Sequence, residues 1–441
     1  MPGRARPVRI AASVAPGIPI PAKLRLNRPA GSADNGPLHP PWPDSPRTPP
    51  MYRKAAIVGI GQTEFSRDSG RSEWQLALEA ILAALDDAGL DAASVDGLVR
   101  YSYDNVTPPM LVRALGIRDL RWYGEVPLGG TAQCAVLAQA GAAIASGIAR
   151  TVVVYRALNE RSGVRYGRAE RHIAPAGDAV VASGDRTPAG QFSGPYGLLV
   201  PGQSMALWAQ RYAHEAGLDA DRFAQVLGRV AVQQRAYAQT NPRAMMRERP
   251  LDLEGYLAGR MISTPLRLYD YCLESDGAAA VVLTRADDAR ALRDDPVWLL
   301  AAHQCLFAHS EPISIYPDDV LARSVPGNVE KLYADARVSP ADVSFAQFYD
   351  ATSFMVVSDL ETYGFAARGQ AWRRVLDEGT GPDASLPVNT HGGHLSEGYI
   401  HGMNHITEAV RQLRGTAANP VRDARVGLVG CNGASAALLA R

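Results

Sequence analysis

Asp276–Arg285 reads DGAAAVVLTR and Asn432–Arg441 reads NGASAALLAR. Both are short apolar runs rich in small and β-branched residues, bounded by Asp or Asn and Gly at one end and Arg at the other. That is the pattern of a strand buried on both faces. A second pair recurs in the same order, more weakly: LDDAGLDAASVDGLV (Leu85–Val99) and YADARVSPADVSFAQ (Tyr333–Gln347). A third match pairs Gly130, the helical run to Ser146 and TVVVY (Thr151–Tyr155) with Gly402, the helical run to Leu413 and RVGLVG (Arg425–Gly430). Three matches in one order indicate an internal duplication. Each half carries β, α, β, α, β in series, which predicts an α/β fold with a mixed or parallel sheet covered by helices.

Outward from the repeat, KAAIVGI (Lys54–Ile60) reads as the first strand, and Ser72 with Gln75 forms a capping box for a helix ended by Gly89. The run Thr131–Ser146 is apolar all round, so it predicts a buried helix, stopped by Gly147. Between about 160 and 268 the pattern gives way to Gly- and Pro-broken loops with two longer helices, Met205–Ala216 and Asp221–Gln239, inserted into the first half. The expected organisation is a half at 51–290 containing that insertion and a half at 291–441. Residues 1–50 are rich in Pro, Arg and Gly and end in HPPWPDSPRTPP; such a segment does not bury enough apolar surface to fold. A start at Met51 accounts for them better than a transit peptide, since no apolar core with a cleavage site and no amphipathic helix is present.

With 45 basic and 45 acidic residues the chain has no basic stripe for a phosphate backbone, and nucleic acid is not expected as a partner. Four cysteines (Cys134, Cys272, Cys305, Cys431) lack metal-ligand spacing, which points to a reducing, cytoplasmic setting without disulfides. No apolar stretch approaches the roughly 20 residues of a membrane helix. The GIGQTEF stretch at Gly59 fails the GxGxxG spacing of a dinucleotide site.

The two α/β halves, the SDGAAAVVL run and NTHGG (Asn389–Gly393), an NxxGG motif, together resemble the thiolase superfamily over nearly all of Tyr52–Arg441. The insertion and FYDATSF (Phe348–Phe354) resemble its sterol-carrier-protein-X-like branch. That resemblance implies the thiolase fold, a layered α/β/α/β/α arrangement. It also implies a nucleophilic Cys at the start of the buried helix, but counting back from Gly147 puts Gly130 there, and Cys134 one turn too deep. The family's Gly-His-Pro histidine, ten residues after the Asn of NxxGG, falls on Tyr399, and the branch's His-Asp-Cys-Phe histidine falls on Tyr349. Cys431 survives in CNG (Cys431–Gly433), where the family uses a second acid/base.

Without a thiolate no acyl-enzyme forms, so thiolysis by that route is not expected. A site still shaped for a thioester enolate remains. Backbone N–H groups of Gly130 and Gly433 are the expected oxyanion donors, Asn389, Asp350 and His391 are expected to line the site, and Tyr349 as base with Tyr399 as acid, or the reverse, would move the protons. This pattern resembles the thiolase-like aldolases of bacterial steroid side-chain degradation, which implies retro-aldol cleavage of a bulky 3-hydroxyacyl-CoA. Coenzyme A enters as part of the substrate, and no bound cofactor is implied. The same resemblance implies a homodimer flanked by two copies of a smaller acyl-CoA-associated protein with a zinc ribbon and an OB fold. Two alternatives stand beside it: a thiolase-type acyltransferase with an unrecognised nucleophile, and a non-catalytic acyl-CoA or lipid carrier.

Four of the nine histidines (His391, His394, His401, His405) fall within fifteen residues, with His401 and His405 expected on one helix face. No carboxylate or Cys set accompanies them at ligand spacing, so loop hydrogen bonding or substrate contact is expected in preference to a metal. Asp350 and Glu397 each neighbour a tyrosine, as orienting groups or as solvated charges.

Overall fold

A computed structural model describes residues 52–127, 129–130, 133–163, 165, 167, 194–305 and 327–441. The first half runs β1 (Ala55–Gln62), α1 (Glu73–Ala88), β2 (Gly97–Tyr101), α2 (Pro108–Leu115), β3 (Trp122–Val126), α3 (Ala135–Ala145), β4 (Thr151–Asn159) and β7 (Asp276–Arg285). Between β4 and β7 lie α4 (Pro201–Glu215), α5 (Ala220–Thr240), α6 (Leu253–Leu257) and the hairpin of β5 (Met261–Ser263) and β6 (Leu266–Arg267). After α7 (Ala286–Leu292) come β8 (Val297–Gln304), α8 (Asn328–Ala336), β9 (Phe345–Phe348), α9 (Ser353–Thr362), α10 (Ala371–Asp377) and α11 (Gly393–Ser396). The chain then finishes its second half with α12 (Met403–Arg414), β10 (Val426–Cys431) and β11 (Ser435–Ala440). The extension expected at 1–50 lies outside the described residues.

The strands form one nine-stranded sheet in the order β3-β2-β4-β7-β1-β8-β11-β10-β9. The duplication is visible in its pairing. In the first half β7 runs antiparallel to β1 and β4, and β2 lies parallel to β4. In the second half β11 runs antiparallel to β8 and β10, and β9 lies parallel to β10. The halves meet where β1 and β8 pair antiparallel through Ala56–Trp298 and Ile57–Val297. The weaker sequence match is also structural: α1 and α8 each end on a left-handed residue, Gly89 (φ 63°) and Arg337 (φ 58°). Each is followed by a single 3-10 turn before the parallel strand.

Helices α3 and α12 touch strands of both halves and form the shared inner layer, while α1 packs on β1, β4 and β7, and α8 on β8 and β11. The strands between them are buried nearly throughout, as their uninterrupted apolar runs require. The glycines of the GIGQTEF stretch allow close packing: a Cβ on Gly59 or Gly61 would lie 2.0 Å from the carbonyl oxygen of Ala84 or Ala80 in α1. The Ser72–Gln75 capping box forms as read. Regular α3 begins at Ala135, and the expected start at Thr131 lies outside the described residues. Gln133 N–H closes a turn onto Gly130 O at 3.0 Å, and Cys134 N–H donates to the Ser435 hydroxyl at 3.2 Å and not to Gly130 O, the bond an earlier helical start would make. Among the described residues no helix is long and apolar enough to cross a membrane.

Candidate active site

Tyr349 follows β9 directly, and Tyr399 lies in the loop between α11 and α12. The fold brings their hydroxyls to 2.8 Å from each other. Both side chains are nearly enclosed, at 4% and 7% exposure. Two-point backbone clamps place them. Asn389, itself in the left-handed region (φ 51°), accepts from Phe348 N–H at 2.7 Å and donates to Phe348 O at 2.9 Å, fixing the residue before Tyr349. Ser275 accepts from Tyr399 N–H at 2.8 Å and donates to Tyr399 O at 2.9 Å. Tyr349 N–H donates to Gly430 O at 2.9 Å, and the amide of Gln133 donates to the same carbonyl at 2.8 Å.

Gly130 stands against this pair. A Cβ built on it would lie 1.6 Å from Cζ of Tyr349 and 1.8 Å from its hydroxyl. The Tyr349 phenol therefore fills the space that any side chain at 130 would enter. Cys134, four residues on, is buried with its Sγ donating to Val429 O at 3.3 Å, and burial drives its thiol far above the usual range. It is a core residue without thiolate character.

Burial pushes both phenols well above their ordinary pKa, with the neighbouring Cys272 next in effect on Tyr349 and the Tyr349 hydroxyl on Tyr399. Either hydroxyl can be the donor across their hydrogen bond.

Behind the tyrosines lies a buried polar layer. Asp350 accepts from the backbone N–H groups of His394 (3.0 Å) and Leu395 (3.4 Å) and pairs with His405 Nε2 at 2.9 Å, while His405 Nε2 also donates to Phe348 O at 2.7 Å. The His394 ring meets both tyrosine rings edge-on, each at 4.9 Å. Asn404 accepts from His394 Nε2 at 3.1 Å and donates to Glu397 at 3.1 Å, and His391 Nε2 lies 3.6 Å from the same carboxylate. Asp350 and Glu397 are therefore buried structural acceptors and not solvated charges. Burial holds His391 and His394 well below their ordinary pKa, so both are neutral. Asp350, His394 and His405 offer three ligand-type atoms within 4.8 Å of one another, but the hydrogen bonds just described account for the grouping.

His401 does not share a helix face with His405. It precedes α12 in the left-handed region (φ 53°), with Gly402 as the cap, and turns to Arg156. Gly433 N–H donates to the Tyr363 hydroxyl at 3.2 Å, and Asn432 N–H donates to Asp359, so α9 holds the CNG loop. Cys431 is buried at the end of β10. The site thus gathers Tyr349, Tyr399, Gly130, Asn389, Asp350 and His391 around one layer, with Gly433 engaged by Tyr363. Ser275 and Gln133 emerge only in three dimensions. A cavity of about 510 Å³, lined by Val426 and Ala440 among others, lies at the opposite end of β10 from Gly430.

Comparison with known proteins places this architecture. Residues 308–438 match the thiolase C-terminal domain-like family. The chain is 42% identical over 370 residues to the 17-hydroxy-3-oxo-4-pregnene-20-carboxyl-CoA lyase of Mycobacterium tuberculosis, covering 83% of this chain and 93% of that protein. It is 43% identical over 371 residues to a steroid side-chain-cleaving aldolase of Thermomonospora curvata, covering 84% and 92%. A solved structure described as an Ltp2-ChsH2(DUF35) aldolase superposes with a TM-score of 0.79 at 40% identity, covering 88% of this chain and 98% of that one. With that identity along most of its length, the chain belongs to the thiolase superfamily, in the family of the steroid side-chain-cleaving aldolases.

Proposed function

We propose that the protein cleaves a steroid-like 3-hydroxyacyl-CoA by retro-aldol chemistry, with Tyr349 and Tyr399 moving the protons and no covalent intermediate. The observation that carries the reading is the 2.8 Å contact of the two phenols against Gly130. The named activity of the mycobacterial relative supplies the substrate class: a 17-hydroxy steroid whose side chain ends in a CoA thioester.

The hydroxyl proton passes to Tyr349 as the bond between the carbinol carbon and the thioester α-carbon breaks. The carbinol carbon becomes a ketone. The bonding electrons move into the thioester as an enolate, stabilised by the backbone N–H of Gly130. In the same relay Tyr349 passes its own proton to Tyr399 across their hydrogen bond and Tyr399 protonates the α-carbon, so neither phenol takes up a second proton. For the 17-hydroxy pregnene-carboxyl thioester this balances as a 17-ketosteroid plus propionyl-CoA, with no water consumed. A phenolate resident in this buried, cation-poor position would be strongly disfavoured. A relay that passes one proton in as another leaves avoids it, because neither phenol carries a full charge for long.

Coenzyme A enters as part of the substrate. The named aldolase complex contains a DUF35 protein, and we extend that partnership to this chain, as a thiolase-like homodimer carrying two such subunits. Incubation of the complex with the steroidal thioester in D2O tests the proposal. The expected products are the ketone and an acyl-CoA with one deuterium at its α-carbon, and an enzyme of unchanged mass. An acyl adduct on any of the four cysteines would support the acyltransferase alternative, and absence of cleavage would support the carrier.

A further inference from the structure

Arg156 and Asp104 form an ion pair at 2.8 Å with both side chains fully buried. Such a pair costs desolvation on both partners and is weak evidence of stability alone. Its geometry gives it another role. Arg156 Nε lies 3.1 Å from Nδ1 of His401. A guanidinium has only donors, so Nδ1 accepts and the proton of the neutral ring sits on Nε2. Burial and the Arg156 charge both oppose a second proton. Asp104 also accepts from Ala157 N–H at 3.1 Å, and the Tyr101 hydroxyl reaches His401 O at 3.4 Å, so the arrangement is braced on two sides. His401 holds its left-handed backbone there, a conformation that non-glycine residues keep only when their surroundings fix it.

The ring lies beside the reacting groups. Its centroid is 5.2 Å from that of Tyr399, edge to face. Its Nε2 would be 3.1 Å from a Cβ on Gly129, the partly exposed glycine preceding Gly130. Gly129 and Gly130 are consecutive, so His401 Nε2 and the Tyr349 hydroxyl each lie against one glycine of the pair. Gly433 N–H, the other expected oxyanion donor, is engaged with Tyr363.

We propose that Asp104 and Arg156 lock His401 as a neutral Nε2–H donor that binds the thioester oxygen of the substrate across Gly129 and Gly130. This rests on the retro-aldol reading, and one arm of the test is independent of it. In the full-length complex labelled with 15N-histidine, the His401 signal is assigned by its loss in His401→Gln. It is expected to show a protonated Nε2 and a bare Nδ1, constant from pH 5.5 to 8.5. An Nδ1–H tautomer or an imidazolium in that range overturns the lock whether or not the chain turns over. With the steroidal thioester, His401→Leu is expected to lower turnover about 10²- to 10³-fold. His401→Gln, whose amide can donate from a similar place, is expected to stay within about tenfold of wild type. Equal turnover by wild type and His401→Leu would overturn the oxyanion role while leaving the aldolase reading intact.

Discussion

Gly130→Ala is the smallest change that tests why the nucleophile position is bare. The added Cβ would lie 1.6 Å from Tyr349 Cζ, against an ordinary contact of at least 3.4 Å, so the two must separate by about 1.8 Å. The Tyr349 backbone cannot follow easily, because its N–H is held by Gly430 O and Phe348 is clamped by Asn389. The ring must swing instead, which breaks the 2.8 Å contact with Tyr399. Overpacking of this kind costs about 1–3 kcal/mol of stability. A displacement beyond 1 Å at a reacting group costs roughly 10²-fold in rate or more. The assay is a double-mutant cycle, with chemical denaturation and single-turnover cleavage on Gly130→Ala, Tyr349→Ala and the double variant. Because Tyr349→Ala removes the obstructing ring, Gly130→Ala should add almost nothing in that background, giving a coupling of about 1–3 kcal/mol. Additive stability effects, or a Gly130→Ala enzyme with full turnover, would refute the packing argument.

Ser275→Ala leaves Tyr399 N–H and C=O buried without their shared partner, at about 1–3 kcal/mol. Turnover should fall more than substrate affinity, which stopped-flow kinetics beside calorimetric binding would separate. Cys134→Ala should keep turnover within a few fold, since the thiol is a protonated core group; a loss comparable to that in a thiolase nucleophile variant would contradict this. Asp270 is buried against Ser353 and Tyr256, and burial raises its pKa from 3.8 to about 6. The folded chain therefore binds the extra proton between about pH 4 and 6, and that contribution to stability is lost as pH rises through 6. Asp270→Asn does not titrate, so its stability relative to wild type should improve by about 3 kcal/mol from pH 4 to pH 7; denaturant midpoints at the two pH values check this, and a pH-independent difference would contradict it.

Much of this architecture was legible because it lies in local pattern. β7 and β11 are unbroken apolar runs of one composition, and a strand buried on both faces leaves that signature wherever it occurs. Tyr349 and Tyr399, fifty residues apart, were reachable by counting from motifs, since the loops that carry them begin at fixed distances from Asn389 and β9. The supports were not legible. Ser275 meets Tyr399 across 124 positions, and Arg156 meets His401 across 245. Such contacts are created by the sheet order and leave no period in the chain. The same reason explains the late start of α3, where a hydroxyl from β11 takes a donor that propensity alone gives to the helix. His401 and His405 are spaced for one helix face, but a left-handed residue before Gly402 rotates His401 out of the helix, and only backbone geometry reveals that.

The most direct test of the central reading is single-turnover cleavage of the steroidal 3-hydroxyacyl-CoA by Tyr349→Phe and Tyr399→Phe, each in complex with the partner and each verified as folded. Both changes preserve the rings and remove only the hydroxyls. A relay that needs both predicts a loss of about 10²- to 10⁴-fold in either variant, with no further loss in the double variant. Full turnover in both variants would contradict it.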